Sequence, residues 1–340
     1  MISNTAERLR PPPPIFLLAS ERSGTNLLRK LITMHQRIYF GPSPAHFLKH
    51  LFHAAPYYGE LANDSNFSDL VRDAISLCDV HFSPWIIRQS ENDLIKAYDQ
   101  EHDERDIILL SDMMMRRYAE SQGFSGYFCK DNDLYDYAYQ ILTKLPNAKF
   151  IYLHRDPRDF AVSQMNRTLQ SNNLYSIAQL WRQQQTQCIS VTRSMPDRVF
   201  RLSYESLIAD QEACLRSICE FLETDYLDSA QDVHVHSGNA KEWSNLSSPV
   251  MKDNSGKFRS RFSQRQISMI EDVCWNQMRW LGYQPSTRER VPTSKARIAL
   301  EYALGDALPV AKRRLLGVDE RDAWSIERRK TLKKIRSRYE

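Results

Sequence analysis

The sequence predicts an α/β fold, in which a central parallel sheet is flanked by helices. Apolar runs that are typical of buried strands recur along the chain, and each is followed by a helix-like stretch. Alternation of this kind favours a parallel, doubly wound sheet. The 340 residues, 42% of them hydrophobic, are enough for a full core. The strand-like runs lie at 14–19, 127–130, 149–154 and 198–203, with a short fifth run at 38–40.

The first strand-like run ends in a small polar turn, and an amphipathic helix follows it. A strand, a tight turn and a helix N-terminus together present backbone N–H groups to a phosphate or a sulfate. The alternative is a simple capping turn, in which a hydroxyl satisfies the first helical N–H groups. The anion site predicted here comprises Arg22, Ser23, Gly24, Thr25 and Asn26.

This turn differs from the loop that binds nucleoside triphosphates, whose pattern is G-x-x-x-x-G-K-[ST]. Ala19 replaces the first glycine, Thr25 replaces the lysine, and Asn26 replaces the hydroxyl that holds magnesium. A kinase needs that lysine and that hydroxyl. The turn therefore suits a single anionic group and no obligatory metal, and a small-molecule kinase remains only a weaker alternative.

A second candidate anion site follows the run at 149–154. Asp156 is suited to cap a helix and Pro157 to begin one. Arg155 would then lie at the carboxyl end of a strand, where open α/β sheets bind ligands. Ser163 and Arg167 are four residues apart and would share one helix face. Together with Arg155 they could hold a second phosphate.

With both segments in view, the chain resembles the sulfotransferases that use 3'-phosphoadenosine 5'-phosphosulfate (PAPS). In that family the first turn is the 5'-phosphosulfate loop, and the spacing of Arg155 and Ser163 matches the 3'-phosphate site. Arg167 matches a further contact in the tyrosylprotein branch. The resemblance implies a P-loop-like sulfotransferase fold. It also implies PAPS as co-substrate, without a metal.

Two more segments extend the resemblance to residue 283. Tyr204 begins a Tyr-Glu-x-Leu segment whose tyrosine lies against the adenine in the family. The polar loop 247–261 matches one that folds over the nucleotide, and a helix is predicted at 270–283. Within that loop, Lys252, Ser255 and Arg261 fall where nucleotide contacts are expected.

The resemblance implies transfer of a sulfuryl group to an acceptor hydroxyl by in-line displacement. Arg22 and Lys130 are the candidate cations for the charge that builds on the leaving nucleotide. Lys130 ends a strand-like run, and its spacing to Arg155 matches a catalytic lysine of the tyrosylprotein branch.

The general base, which takes the proton from the acceptor hydroxyl, is where the chain departs from the family pattern. Asn132 and Ser43 occupy the positions of the family's histidine and glutamate, and neither is a base. His46, three residues after Ser43, is the predicted base because its ordinary pKa suits proton transfer near neutrality. The reserve candidates are Asp131, Asp133, His50 and His53. Loss of the base would leave a non-catalytic nucleotide-binding or scaffold protein, which is the alternative function.

Three regions are predicted: a flexible N-terminus at 1–13, a sulfotransferase domain at 14–285 and a basic helical extension at 286–340. Residues 45–126 are predicted to form an acceptor-side insertion, whose aromatic and methionine side chains suit a core more than a ligand wall. The extension has 15 Lys and Arg against 8 Asp and Glu, and the whole chain has a net charge of +4. The rest is slightly acidic, so nucleic-acid binding is not expected.

The basic extension suits a solvated helix more than a dock for an acidic partner. No apolar run reaches the length of a membrane span, and no N-terminal anchor is evident. Six scattered cysteines indicate reduced thiols and a cytoplasmic location. The acceptor could be a small molecule, a carbohydrate, a lipid or a peptide.

Overall fold

The protein is described from a computed structural model, in which five parallel strands form one sheet in the order β2-β3-β1-β4-β5. This confirms the predicted fold, and the predicted runs match the strands to within one residue at each end. The strands are β1 (Ile15–Ala19), β2 (Tyr39–Phe40), β3 (Gly126–Cys129), β4 (Lys149–His154) and β5 (Val199–Ser203). The structure describes residues 11–80, 83–85, 90–165, 173–231, 254–303, 305 and 323–337.

Strand β1 is the centre of the molecule. All five of its residues are buried, and they alternate between two hydrophobic clusters. Phe16 and Leu18 face one cluster, whereas Ile15 and Leu17 face the other, as the period of a strand requires. β1 lies between β3 and β4, where the strand order reverses. The crevice beyond its carboxyl end is therefore the expected ligand site.

Helices cover both faces of the sheet and make up most of the described chain. The long helices are amphipathic, and their apolar faces pack on the two clusters. They are α1 (Thr25–His35), α2 (Phe47–Tyr58), α3 (Asp64–Asp79), α4 (Glu91–Glu101), α5 (Ile107–Ser121), α6 (Ala138–Lys144), α7 (Pro157–Met165), α8 (Leu174–Ser194), α9 (Tyr204–Ala209), α10 (Gln211–Leu222), α11 (Phe258–Arg261), α12 (Gln264–Leu281), α13 (Lys295–Tyr302) and α14 (Ala323–Ser337).

The predicted insertion at 45–126 contains helices α2 to α5. Its methionines at 113–115 and Trp85 are buried in the main cluster. The Trp85 indole N–H donates to the carbonyl of Ser43 at 2.7 Å, and its ring stacks on Tyr118 with centroids 4.9 Å apart. These side chains hold the insertion against the sheet instead of lining a ligand wall.

Helix α12 begins earlier than the predicted 270–283. Ser263 caps it by accepting from the N–H of Gln266, whose side chain in turn accepts from the Ser263 N–H. This capping box adds residues 264–269 to the helix. Gly282, with φ of 87°, ends it in the left-handed conformation that glycine tolerates.

The C-terminal helix α14 differs from the solvated helix that the sequence predicts. One of its faces packs on α2 and α3, where Ile335 is 3% exposed and Arg328 is 7% exposed. Its other basic side chains face solvent, namely Arg329, Lys330, Lys333, Lys334 and Arg336. Part of the basic extension is therefore built into the main core.

All six cysteines lie in the described residues and are free thiols. Within the same part of the chain, no helix has the length and apolar composition needed to cross a bilayer. No group of three or more His, Cys, Asp or Glu side chains is placed there to share a metal ion.

Candidate active site

The loop between β1 and α1 is the first candidate anion site. Arg22 and Gly24 both have left-handed φ angles, 66° and 88°, which turn the chain sharply into the helix. The N-cap residue of α1 is Gly24, which has no side chain to cap the helix. The Ser23 hydroxyl is buried without a hydrogen-bond partner among the described residues.

Tyr204 explains why the turn needs a glycine. A Cβ added at Gly24 would lie 2.3 Å from Cδ2 of the Tyr204 ring, far inside van der Waals contact. Tyr204 begins α9, directly after β5, and is buried. The ring therefore rests on the backbone of the anion loop. Contact between Tyr204 and an adenine stays a prediction.

The second candidate anion site meets the first. Arg155 follows β4, and its Nη1 donates to the carbonyl of Arg22 at 3.0 Å. Its Nη2 donates to the carbonyl of Asn254 at 2.9 Å, and its guanidinium lies 4.4 Å from the Tyr204 ring centroid. The remaining nitrogen, Nε, is buried and has no partner in the part of the chain that is described.

Ser163 completes the connection between the two loops. It lies on α7, which starts as predicted at Pro157 with Asp156 accepting from the N–H of Arg158. The Ser163 hydroxyl accepts from Nε of Arg22 at 3.2 Å. The loops are thus in direct side-chain contact at one edge of the sheet. Arg167 lies outside the described residues, so its place in this site stays a prediction.

Arg158, the second arginine of the Arg-Asp-Pro-Arg segment, has a structural role. Its guanidinium is 2.6 Å from Asp156 and 2.7 Å from Glu271 of α12. All three side chains are largely buried. A buried arginine that is held by two carboxylates links the start of α7 to α12 and is not available to a ligand.

The loop before α11 closes over this site. Asn254 contributes its carbonyl to Arg155, and its side-chain Nδ2 donates to the Tyr204 hydroxyl at 2.6 Å. Asp159 of α7 accepts from the N–H groups of Gly256 and Phe258, at 2.5 and 3.1 Å. Ser255 and Arg261 are exposed on the same segment, whereas the predicted contact Lys252 lies outside the described residues.

Lys130 follows β3 and is 5% exposed. Burial holds its pKa below the ordinary value, at about 8, because desolvation disfavours the charged ammonium. The charge of Arg29 acts in the same direction, and the charges of Glu21 and Asp131 oppose it. Below about pH 8 the side chain is therefore mostly the charged ammonium, which an approaching anion would stabilise further.

His46 is hydrogen-bonded to the two residues that follow Lys130 in the chain. Its Nδ1 accepts from the backbone N–H of Asn132 at 3.1 Å, and its backbone N–H donates to Asp131 at 3.0 Å. Because Nδ1 is an acceptor, the neutral ring carries its proton on Nε2. In this arrangement the outward nitrogen donates a hydrogen bond, which weighs against the predicted role of His46 as the base.

Asn132 holds a second group as well. Its side-chain Nδ2 donates to Oε1 of Glu21, the residue before Arg22 in the anion loop. One residue therefore orients an imidazole through its backbone and a carboxylate through its side chain. Sequence reasoning missed Glu21, although a carboxylate directly before the loop arginine was a visible signal.

The reserve candidates for the base differ in their surroundings. Burial raises the pKa of Asp131 to about 6, and one of its oxygens has no partner in the described chain. Asp133 is bonded to Tyr135 and Lys49. Burial lowers the pKa of His50 to about 3, helped by neighbouring cations, so that this ring is neutral. His53 is exposed.

Ser43 is structural, consistent with its lack of basicity. Its hydroxyl is buried and donates to the carbonyl of Ser83 at 2.7 Å, while its carbonyl accepts from the Trp85 indole. The segment before His46 is thus anchored to the insertion. This anchoring could not be inferred from the sequence, because the partners are about forty residues away.

Comparison with known proteins identifies the family. A model described as "Sulfotransferase family" matches residues 13–228, which is more than half of the chain. The protein therefore belongs to the sulfotransferase family, and this confirms the resemblance drawn from its motifs. The match includes both anion loops, Lys130 and Tyr204, but ends before the loop at Asn254. No curated protein matches the chain.

Several solved structures are similar to this chain. The sulfotransferase domain of the Synechococcus olefin synthase is 18% identical, with 92% of this chain and 97% of that one covered and a TM-score of 0.42. A sulfotransferase from Alicyclobacillus acidocaldarius is 16% identical, with 77% and 96% covered and a TM-score of 0.37. Retinol dehydratase, in a complex with retinol and PAP, is 15% identical, with 84% and 85% covered and a TM-score of 0.36.

Proposed function

We propose that the protein transfers a sulfuryl group from PAPS to an acceptor hydroxyl. The observation that carries this proposal is the contact between the two anion loops. Arg22 of the first loop donates to Ser163, and Arg155 of the second donates to the Arg22 carbonyl. Loops that touch can hold the two phosphate groups of one nucleotide, whereas a triphosphate needs only the first loop.

The residues present fit a doubly phosphorylated adenosine. The Ser23 hydroxyl and Nε of Arg155 are buried donors that lack partners in the described residues. Buried donors of this kind cost free energy unless an acceptor is supplied. Phosphate oxygens are such acceptors, and they form the strongest hydrogen bonds with a guanidinium. Ser23 would serve the 5'-phosphosulfate, and Arg155 with Ser163 the 3'-phosphate.

PAPS, when bound, supplies an activated sulfuryl group. The acceptor oxygen forms a bond to sulfur while the bond between sulfur and the bridging oxygen breaks, and 3'-phosphoadenosine 5'-phosphate (PAP) leaves. Arg22 and Lys130 would stabilise the negative charge on that bridging oxygen. Lys130 is suited to this role because, with a pKa of about 8, it is mostly a charged ammonium at neutral pH.

The acceptor's proton needs a base, and we assign that role to Glu21. Its carboxylate is held by Asn132, beside Lys130 and in the anion loop itself. His46 would instead donate from Nε2 to the acceptor oxygen or to a sulfuryl oxygen. The proton passes from the acceptor hydroxyl to the Glu21 carboxylate as the new oxygen–sulfur bond forms.

The other functions considered have less support. A kinase lacks the lysine and the metal-binding hydroxyl of its loop, which Thr25 and Asn26 replace. A non-catalytic scaffold was suggested by the absence of a base at Asn132, and the carboxylate that Asn132 holds removes that reason. The six free thiols support the predicted cytoplasmic location. The chemical class of the hydroxyl acceptor stays open.

The first test compares ligands by thermal unfolding. PAP at a hundredfold excess over its dissociation constant should add about 2.7 kcal/mol to the free energy of unfolding. ATP should add less, and any stabilisation by ATP should not require magnesium. Transfer from sulfur-labelled PAPS to a panel of alcohols, phenols and sugars then tests catalysis. Stabilisation by PAP without transfer to any acceptor would favour the scaffold. Stabilisation by ATP with magnesium alone would contradict the proposal.

Variants at the second loop sharpen this test. Arg155→Gln and Ser163→Ala should remove the extra stabilisation by PAP over AMP, because both side chains are assigned to the 3'-phosphate. Arg193→Gln is the matched control, since Arg193 is exposed on α8. An unchanged preference for PAP in Arg155→Gln would contradict the assignment.

A further inference from the structure

Arg328 is a buried cation on a helix that is otherwise basic and exposed. It lies on α14 and shares a face with Leu332 and Ile335, which pack on the main hydrophobic cluster. Its immediate neighbour in sequence, Arg329, faces solvent. A guanidinium is costly to bury unless its N–H groups are satisfied, so its partners indicate what the burial achieves.

The partners of Arg328 are backbone carbonyls at the start of α2 and at the end of α3. Nη2 donates to the carbonyl of Ala45, just before α2. Nη1 donates to the carbonyls of Val80 and Leu77, at 3.3 and 3.5 Å, where α3 ends. A cation at the C-terminal end of a helix is favoured by the helix dipole. One side chain thus joins the end of α3 to the start of α2.

The bond to Ala45 reaches the candidate active site through a single peptide group. The carbonyl side of the Ala45–His46 peptide accepts from Arg328, and its N–H side donates to Asp131 at 3.0 Å. The peptide plane is therefore held from both sides. His46 needs this support because its φ of 54° is in the left-handed region, which is unfavourable for a residue other than glycine.

Charge supports the same arrangement. Asp131 is buried, which raises its pKa, and the charges of Arg328 and Lys130 act in the opposite direction. Arg328 thereby favours the ionised carboxylate, which is the better acceptor for the His46 N–H. The hydrogen bond from Arg328 to the Ala45 carbonyl and the effect of its charge on the Asp131 carboxylate both help to orient His46.

We infer that Arg328 is a positioning residue for the acceptor side of the active site, and that α14 is part of the working enzyme. By fixing the Ala45–His46 peptide, Arg328 keeps Nδ1 of His46 on the Asn132 N–H and directs Nε2 toward the reacting groups. Its part in transfer rests on the proposed function. Its effect on the histidine ring does not.

The experiment compares Arg328→Gln with Arg329→Gln, the same substitution one residue apart on the same helix. Nitrogen NMR of the full chain labelled in histidine reads the ring directly, and His46→Asn assigns its signal. In the wild type, Nδ1 should resonate as an unprotonated nitrogen and Nε2 as a protonated one. Arg328→Gln should lose this pattern, whereas Arg329→Gln should keep it.

PAP binding and transfer from labelled PAPS complete the test. Arg328→Gln should bind PAP within about twofold of the wild type and transfer sulfate up to about tenfold more slowly, because it misplaces the hydrogen bond from His46, and complete loss of that bond costs about this factor. Arg328→Lys should recover part of the rate, since an ammonium keeps the charge but lacks the planar fork that reaches carbonyls of two separate segments.

Each failure is distinguishable. An unchanged His46 signal in Arg328→Gln would overturn the inference whatever the enzyme does. Loss of PAP binding together with transfer would overturn it as well, because Arg328 would then support the whole fold. If the wild type itself binds no PAP, the proposed function fails, and the NMR comparison still decides whether Arg328 orients the ring.

Discussion

The donor side and the acceptor side of the candidate site are built in different ways. On the donor side, Arg22 contacts both Ser163 and Arg155 directly, and the two arginines follow the ends of strands β1 and β4. On the acceptor side, His46 is oriented by Asn132 and Asp131 and, through a peptide, by a helix near the C-terminus. The donor side is thus a property of the sheet edge, whereas the acceptor side depends on segments distant in sequence.

This difference indicates how sensitive the donor side and the acceptor side should each be to substitutions elsewhere in the chain. Anion loops at strand ends need few residues and little outside support, because backbone N–H groups and helix N-termini do much of the work. An acceptor pocket needs specific side chains held at fixed distances, and here the insertion and α14 supply the support. Variants should therefore divide into those that affect PAP binding and those that affect transfer alone.

The largest effect on transfer is expected from Glu21→Gln, which removes the proposed base. The rate should fall by about a hundredfold to ten-thousandfold, the range for general base catalysis. PAP affinity should stay the same or rise, because a negative charge near the donor is lost. Labelled transfer and calorimetry measure the two quantities.

His46→Asn and Glu220→Gln are the comparisons for that variant. His46→Asn should cost only about tenfold, as expected for the loss of one hydrogen bond of about 1.4 kcal/mol. Glu220 is exposed on α10, so its variant should behave like the wild type. A greater loss in His46→Asn than in Glu21→Gln would restore His46 as the base.

The largest effect on binding is expected from Gly24→Ala. The new Cβ would lie 2.3 Å from the Tyr204 ring and would displace the loop. The displaced loop should lose two charge-assisted hydrogen bonds to PAP, and this loss should lower PAP affinity by at least about a hundredfold. Gly123→Ala is the matched control, because Gly123 also has a positive φ, 85°, but no atom within 4 Å of a new Cβ. Equal PAP affinity in the two variants would contradict the model of the donor loop.

A smaller effect is expected on the pH dependence of PAP affinity, through Lys130. In the free protein this lysine loses its charge as pH rises through about 8, whereas a bound anion would raise its pKa. PAP affinity should therefore fall above pH 8, by up to about tenfold per pH unit. Calorimetry across this range should give a flat profile for Lys130→Met. Lys96→Met, at an exposed position, is the control and should keep the wild-type slope of PAP affinity against pH. If PAP affinity of the wild type does not change with pH, Lys130 is excluded from the donor site.

The smallest effect is expected from Ser43→Ala. The variant loses one buried hydrogen bond, from the Ser43 hydroxyl to the Ser83 carbonyl. Urea unfolding should show a loss of about 1 kcal/mol, with transfer per folded molecule unchanged. A large loss of transfer at full stability would assign Ser43 to the catalytic group after all.

The sequence predicted that Arg22, Arg155 and Ser163 lie together, but it did not predict how His46 is oriented, and the reason is physical. Strand ends, helix caps and anion turns are local, so Arg22, Arg155 and Ser163 could be placed from short segments. The orientation of His46 depends on Asn132 and Arg328, which are distant in sequence, and no local pattern reports it. The buried face of α14 was missed because charge composition describes a helix as a whole and not its faces. Arg167 and Lys252 stay predictions.

The central claim is that both anion loops hold one nucleotide, and calorimetry with PAP, 5'-AMP and 3'-AMP tests it most directly. If both loops bind, PAP should bind at least about a hundredfold more tightly than either monophosphate, because each phosphate adds charge-assisted hydrogen bonds. Affinity for PAP that is no greater than affinity for 5'-AMP would contradict the account.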